Sequence, residues 1–300
     1  MWTGEISLTT RLPYQAALCG VLGFLLQNSA PALGQGLSTA KEPQIQDNSF
    51  LVEEAYNQER GVVQHINTFS RMWNSKDWSY SFTQEWPAPG NWRHQLSYTL
   101  VGMHAGANPG TGGGVGDTVF HYRYQAIGSG ESRLAFSPRL SVLLPTGNVL
   151  EGRGLGAVGG QVNLPVSIVL YRRVVTHWNI GGTFVPRAQN ADRFRASSVG
   201  YNFAQSVIFV AHPRFHLMLE TCSNTFQSVA GPGRTTWSRS AYMSPGARWA
   251  FNFTNGLQIV PGVAMPIGIG PGGGEKGVFV YLSFEHPFGG LAHHSQPRAE

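Results

Sequence analysis

The stretch that decides the fold runs from residue 116 to residue 147 and reads GDTVFHYRYQAIGSGESRLAFSPRLSVLLPTG. Apolar and polar residues alternate over residues 120–126 and again over residues 136–144. A period of two is produced by a pleated strand, and the polar residues 128–131 between the two runs indicate a turn. Each predicted strand has about 11 to 12 residues, close to the ~9 to 11 that a tilted strand needs to cross a bilayer. The stretch therefore predicts a membrane-spanning β-hairpin.

The composition of the whole chain agrees with an all-β membrane protein. Among 300 residues there are 38 glycines, and only 12% are charged, which suits many strands joined by turns. Mean hydropathy is -0.13, as expected when half of each strand faces a polar lumen. The net charge of +5 comes from arginines that are scattered along the chain, whereas nucleic-acid binders cluster them. We therefore expect no nucleic-acid partner.

The N-terminus has the features of an export signal. Arg11 precedes an apolar core over residues 16–26, and small residues suitable for cleavage follow at positions 30–34. Removal of residues 1–34 would leave Cys222 as the single cysteine, so we expect no intramolecular disulfide. The polar, mildly acidic residues 35–61 are interpreted as a periplasmic lead-in, a short plug that enters the barrel, or a partly ordered terminus.

Residues 62–288 are predicted to form one up-and-down antiparallel transmembrane β-barrel of about twelve strands, followed by a polar tail over residues 289–300. The predicted connections alternate between short turns and longer, glycine-rich loops. The short ones are residues 87–91, 128–131, 173–176, 212–214 and 252–256; the longer ones are residues 104–114, 145–160, 188–196, 227–236 and 268–277. This asymmetry is typical of bacterial outer-membrane barrels, whose short turns face the periplasm.

The positions of the tryptophans support the same location. Six of them lie near predicted strand ends: Trp73, Trp78, Trp86, Trp92, Trp178 and Trp237. Aromatic girdles form where an amphipathic ring is half wetted at the membrane interface. We therefore predict a protein of the bacterial outer membrane, in contact with outer-membrane lipid.

Three segments resemble the bacterial outer-membrane family labelled for the MetA pathway of phenol degradation. They are Gly116-Asp117-Thr118, the run PRLSVLLPTG over residues 138–147, and QVNLP over residues 161–165, within a resemblance that covers residues 62–288. The resemblance implies a transporter of aromatic or other hydrophobic compounds. Phe288 does not end the chain, so we expect the barrel-insertion machinery to recognise the aromatic and apolar residues of the last strand internally.

The polar parity of the predicted strands gives the candidate site residues. If the apolar parity faces lipid, the charged residues that line the lumen are Glu85, Arg93, His121, Arg123, Arg139, His216, Glu220, Arg248 and Glu285. Charges inside a barrel must pair or stay hydrated, and rings of them set the solute preference of pores. Two interpretations stay open: a polar, arginine-biased passage, or a plugged interior cross-linked by Arg–Glu pairs.

Catalytic and metal sites have weaker support in the sequence. His216 and Glu220 share a parity and Ser206 lies on the neighbouring predicted strand, which leaves a lipid-modifying hydrolase as an alternative. One cysteine in the mature chain and dispersed histidines cannot make a closed metal site, so no metal or cofactor is expected.

The leading hypothesis from the sequence is an outer-membrane channel for passive uptake of small hydrophobic or aromatic solutes, and not an enzyme. The alternatives are a closed structural or adhesive barrel whose outer loops bind a partner, an outer-membrane enzyme acting on lipid, and a soluble secreted β-protein.

Overall fold

The computed structural model describes Ile45, residues 49–104 and residues 113–288, and it shows a closed barrel of 12 antiparallel strands. The fold class predicted from the sequence is therefore confirmed. The predicted signal peptide over residues 1–34 and the predicted tail over residues 289–300 lie outside the described residues. Within the described part, no helix is long and apolar enough to cross a membrane.

The strands follow one another around the barrel in chain order. They are β1 (Val62–Met72), β2 (Trp78–Pro87), β3 (His94–His104), β4 (Gly114–Val115 and Thr118–Tyr124), β5 (Leu134–Phe136 and Arg139–Leu144), β6 (Gly159–Asn163 and Val166–Tyr171), β7 (Val174–Gln189), β8 (Arg195–His212), β9 (Phe215–Gly231), β10 (Arg234–Trp249 and Phe251–Asn252), β11 (Gln258–Ala264 and Ile267–Gly268) and β12 (Gly277–Pro287). Short 3-10 turns lie at Val149–Glu151 and Gly270–Gly272.

The first and last strands close the barrel. β1 pairs with β12 along its whole length, from Val62 opposite Pro287 to Met72 opposite Gly277. Each of the other strands pairs with the strands before and after it in the chain. Closure removes every sheet edge, so the backbone groups of the strands are paired without help from water.

The two faces of the wall differ in polarity. On β3 the side chains of Gln95, Ser97 and Thr99 are at most 5% exposed, whereas Leu96 and Leu100 are 38% and 43% exposed. The same alternation places large apolar side chains on the outside of nearly every strand. An apolar belt of this size is stable only in contact with lipid, so the barrel spans a membrane.

The hairpin that decides the fold is less regular than its alternation predicts. β5 is interrupted at residues 137–138, and the adjacent strand β6 is interrupted at residues 164–165. Pro138 and Pro165 lie at these interruptions, and proline has no backbone N–H for the ladder. The two predicted strands of 11 to 12 residues therefore have about the expected span but are not continuous, and the hairpin itself is present.

Two of the predicted long loops are present but have wrong bounds, because residues at both of their ends continue the strands. β7 and β8 are joined by residues 190–194, and β9 and β10 are joined by residues 232–233 alone. Residues 227–231 of β9 pair in the ladder only with β10, and the turn of this hairpin contacts the start of β8, because the Gly233 N–H donates to the Arg195 carbonyl at 2.9 Å. The longer strands place Trp178 and Trp237 inside β7 and β10 rather than at their ends.

Candidate functional site

Eight of the nine predicted lumen residues are buried on the inner face of the barrel. They are Glu85, His121, Arg123, Arg139, His216, Glu220, Arg248 and Glu285, each at most 7% exposed. Arg93 differs, because it lies in the turn before β3, where strand parity no longer applies. Its exposed guanidinium lies 5.3 Å from the ring centroid of Trp92. The structure therefore places Arg93 outside the lumen, and the part of the other eight in solute selection stays a prediction.

A segment of the chain that precedes β1 lies inside the barrel. Residues 49–58, here called the inner segment, are all buried, and they form neither helix nor strand. Phe50, Leu51 and Val52 belong to a buried cluster with wall residues of β8, β9, β11 and β12. The interior is thus filled by a separate segment rather than by the side chains of the wall alone.

The backbone of the inner segment bonds to polar side chains of the wall. The Leu51 N–H donates to both carboxylate oxygens of Glu220, at 3.1 Å each. Asn179 accepts from the Glu53 N–H and donates to the Glu53 carbonyl, both at 2.8 Å. The Gln125 side chain likewise accepts from the Asn57 N–H at 3.0 Å and donates to the Ala55 carbonyl at 2.8 Å. Side-chain amides replace the partner strand that an extended buried backbone otherwise needs.

Two adjacent acidic residues of the inner segment face different parts of the wall. Glu53 contacts Arg123 and lies 3.0 Å from Arg139. Glu54 lies 3.5 Å from the His177 Nε2 and 3.7 Å from an Arg248 guanidinium nitrogen. Buried charges are stable only when they are paired and hydrogen-bonded, so these contacts fix the segment in register with the barrel.

Phe50 occupies an aromatic pocket in the wall. Its ring centroid lies 5.8 Å from that of Phe279 and 5.4 Å from that of Tyr281. The opposite side of the pocket is open because Gly246 and Gly262 carry no side chain. A Cβ at Gly262 would approach two carbons of the Phe50 ring at 2.4 Å and 2.5 Å. The inner wall therefore holds a pocket shaped for one aromatic ring.

The long-loop end of the barrel is narrowed by the connection between β5 and β6. Asp117 accepts hydrogen bonds from the backbone N–H groups of Gly147, at 2.9 Å, and Leu155, at 2.8 Å. The Leu155 side chain packs inside the barrel with Val119 and Val185. Part of this loop and the inner segment thus both lie inside the barrel.

The hydrolase alternative gains no contact from this geometry. The Ser206 hydroxyl accepts a hydrogen bond from Ser49 at 2.9 Å, and the His216 Nδ1 lies 3.3 Å from guanidinium nitrogens of Arg248. Ser206 is thus engaged with the inner segment rather than with His216. Among the described residues, no group of three or more His, Cys, Asp or Glu side chains could hold a metal ion.

The sequence interpretation did not select several polar residues that hold the inner segment. Gln95, Asn163, His177 and Asn179 share the inward parity of their strands. Gln125 follows the end of β4 and continues its polar parity. Parity could therefore have placed all five in the lumen, whereas their contacts with the inner segment required the structure.

No protein-family model and no curated protein matches this chain. Among solved structures, the barrel is similar to an outer membrane channel from Pseudomonas putida F1, with a TM-score of 0.55 and 12% identity over 78% of this chain and 98% of that chain. The NanC porin gives a TM-score of 0.48 and 7% identity over 75% of this chain and 99% of that chain. The Ralstonia pickettii toluene transporter TbuX gives 0.38 and 7% over 77% of this chain and 90% of that chain.

The similarity to the Pseudomonas channel establishes the fold at this low identity. A closed barrel of this type with an apolar outer belt is a protein of the bacterial outer membrane, as the sequence predicted. The specific family suggested by residues 138–147 stays a prediction.

Proposed function

We propose that this outer-membrane barrel is a channel for passive uptake of small hydrophobic or aromatic solutes. The observation that carries the proposal is the inner segment itself. A small structural barrel fills its interior with the side chains of its own wall. Here the wall leaves enough room for an extended polypeptide with the side chains of Phe50, Glu53 and Tyr56. A lumen of that width admits a small solute once the segment moves.

The Phe50 pocket supports the aromatic part of the proposal. Phe279, Tyr281 and the two glycines opposite them accept a ring on the inner wall, where a solute would pass. Tilted aromatic contacts of this kind stabilise a ring beyond the effect of burial alone. When Phe50 leaves the pocket, an aromatic solute has the shape and chemistry to replace it. The residues predicted to select solutes, Arg123, Arg139 and Arg248 among them, lie in the same lumen.

A closed structural or adhesive barrel is the second candidate. It is favoured by the inner segment and by Gly154 and Leu155, the buried part of the connection between β5 and β6. If both stay in place permanently, the barrel conducts nothing, and its outer loops become the part that binds a partner.

The test is single-channel conductance of the chain lacking residues 1–34, refolded and inserted into a planar bilayer. We expect discrete openings separated by long closed periods, because the inner segment must move first. Phenol and toluene should reduce the current through open channels, since both can occupy the Phe50 pocket, and acetate at equal concentration should not block there. Inserted protein that stays silent, alone and after removal of the inner segment, would support the closed barrel instead.

A further inference from the structure

We propose that Arg123 and Arg139 form a binding site for a small carboxylate solute, and that such a solute opens the barrel by replacing Glu53. The proposal rests on the proposed channel function, because it names a substrate class and a means of opening for that lumen. Its binding step, however, can be measured without any current.

The two arginines are placed as an anion site. They are direct cross-strand partners on β4 and β5, and they are 1% and 2% exposed. Like charges opposite each other destabilise a sheet, so this pair needs an anion between its members. One carboxylate oxygen of Glu53 meets Arg123, and the other lies 3.0 Å from Arg139. The amide of Asn163 donates to the latter oxygen at 2.6 Å.

The site recognises a carboxylate rather than Glu53 as a whole. Its contacts are made to the two carboxylate oxygens, and planar guanidinium groups match that geometry. The Nε of Arg123 donates no hydrogen bond within the described residues, so donor capacity remains. Glu85 also interacts with Arg139. The two arginines and the two glutamates, Glu53 and Glu85, together carry no net charge. Without Glu53 this cluster keeps one positive charge, which an incoming anion would neutralise.

Replacement of Glu53 would also loosen the inner segment. A tethered carboxylate competes at an effective concentration of roughly millimolar order, so a free carboxylate at millimolar concentration can replace it. The displaced Glu53 side chain then carries a buried charge without its cationic partners. Because water solvates that charge better than the lumen does, withdrawal of the inner segment from the barrel lowers the free energy of this charge.

Cys222 provides a reporter of this withdrawal. Its thiol is 3% exposed and lies on the inner wall in the cluster that contains Phe50, Leu51 and Val52. A thiol reagent can reach it only when the inner segment moves. In a chain with Cys19→Ser, Cys222 is the single cysteine, so total labelling measures its accessibility.

The experiment follows maleimide labelling of Cys222 in the refolded Cys19→Ser chain in detergent micelles at increasing concentrations of benzoate. We expect a saturable, several-fold rise in the labelling rate with benzoate and none with benzamide, its neutral analogue. The Glu53→Gln variant should label rapidly without benzoate and should not respond to it. A rate that benzoate leaves unchanged, or that benzamide raises equally, would overturn the proposal.

Glu54→Gln is the matched control, because Glu54 is the neighbouring acid of the same segment but faces His177 and Arg248. Its Cys222 labelling should still respond to benzoate, because Glu53 still occupies the arginine pair. Resistance of the folded barrel to SDS without heating checks that each variant folds. Labelling that responds to benzoate in a barrel that never conducts would retain the site and reject the channel. Conduction without a benzoate response would retain the channel and reject the carboxylate site.

Discussion

At the scale of single residues, Gly262 controls whether the Phe50 ring fits against the wall. An added Cβ at this position would meet the end of the Phe50 side chain, while the nearest wall atom, the Ala247 carbonyl oxygen, is 3.3 Å away. The inner segment must therefore yield before β11 does. A glycine inside a strand usually marks such a close approach.

We predict that Gly262→Ala loosens the inner segment and leaves the barrel intact. Overpacking costs about 1–3 kcal/mol, so the Cys222 labelling rate should rise by about tenfold. Gly160→Ala is the control, because Gly160 is exposed on the outside of β6 and its Cβ would meet only the Ser141 carbonyl oxygen, at 4.0 Å. Equal labelling of the two variants would show that the ring pocket does not hold the segment.

Residue parity explains which site residues the sequence could identify. Arg123 and Arg139 lie on strands whose alternation is regular, so their inward direction followed from the sequence. Arg93 lies one residue before β3, where a turn replaces the alternation. That Glu53 lies between Arg123 and Arg139 could not be predicted, because a contact across 70 positions depends on how the inner segment threads the barrel.

At the scale of elements, the wall is unequal in height. The continuous strands β7, β8 and β9 and the first segment of β10 have 16 to 18 residues each, whereas ~9 to 11 suffice to cross a bilayer. The additional residues extend the β7–β8 and β9–β10 hairpins at the long-loop end, and the β9–β10 hairpin turns at Pro232 and Gly233. Gly233 has a φ of 64°, a left-handed conformation that glycine adopts without strain.

The position of this hairpin predicts the orientation of the barrel. A peptide epitope inserted between Pro232 and Gly233 should be tolerated, since loop tips accept insertions, and antibody should bind it on intact cells. The same epitope between Arg172 and Arg173, in the turn joining β6 and β7, should bind antibody only after the outer membrane is permeabilised. The opposite pattern would place the short turns at the cell surface.

Elements also show where alternation is insufficient as a predictor. The strand count and the pairing of neighbours followed from a period of two, because each strand needs one apolar face. The interruptions at Pro138 and Pro165 did not follow, although proline lacks the donor that a central strand requires. The loops predicted at residues 188–196 and 227–236 were wrong because their polar composition resembles that of a loop. Outside the lipid, however, a strand can be polar on both faces.

At the scale of the whole molecule, the inner segment and the wall are separable parts. The ladder closes between β1 and β12 without any strand from residues 49–58. The buried strand residues also balance their own charge, since Arg123, Arg139 and Arg248 accompany Glu85, Glu220 and Glu285. The wall thus supplies acidic side chains of its own, although Glu53 is the acid that lies between Arg123 and Arg139. If the wall needed the segment for folding, we would expect its arginines to have no acidic side chains on the wall itself.

This balance predicts the behaviour of a chain that begins after the inner segment. Deletion of residues 35–58 should leave a barrel that resists SDS without heating, because water entering the lumen solvates the arginines that Glu53 and Glu54 now pair with. Its conductance in a planar bilayer should be larger and more continuous than that of the chain with the segment, since only residues 145–158 still narrow the passage. The double variant Glu53→Gln, Glu54→Gln keeps the segment and controls for the loss of charge alone. A deleted chain that cannot fold would mean that residues 49–58 are the core of a closed barrel; one that folds and stays silent would assign the barrier to residues 145–158.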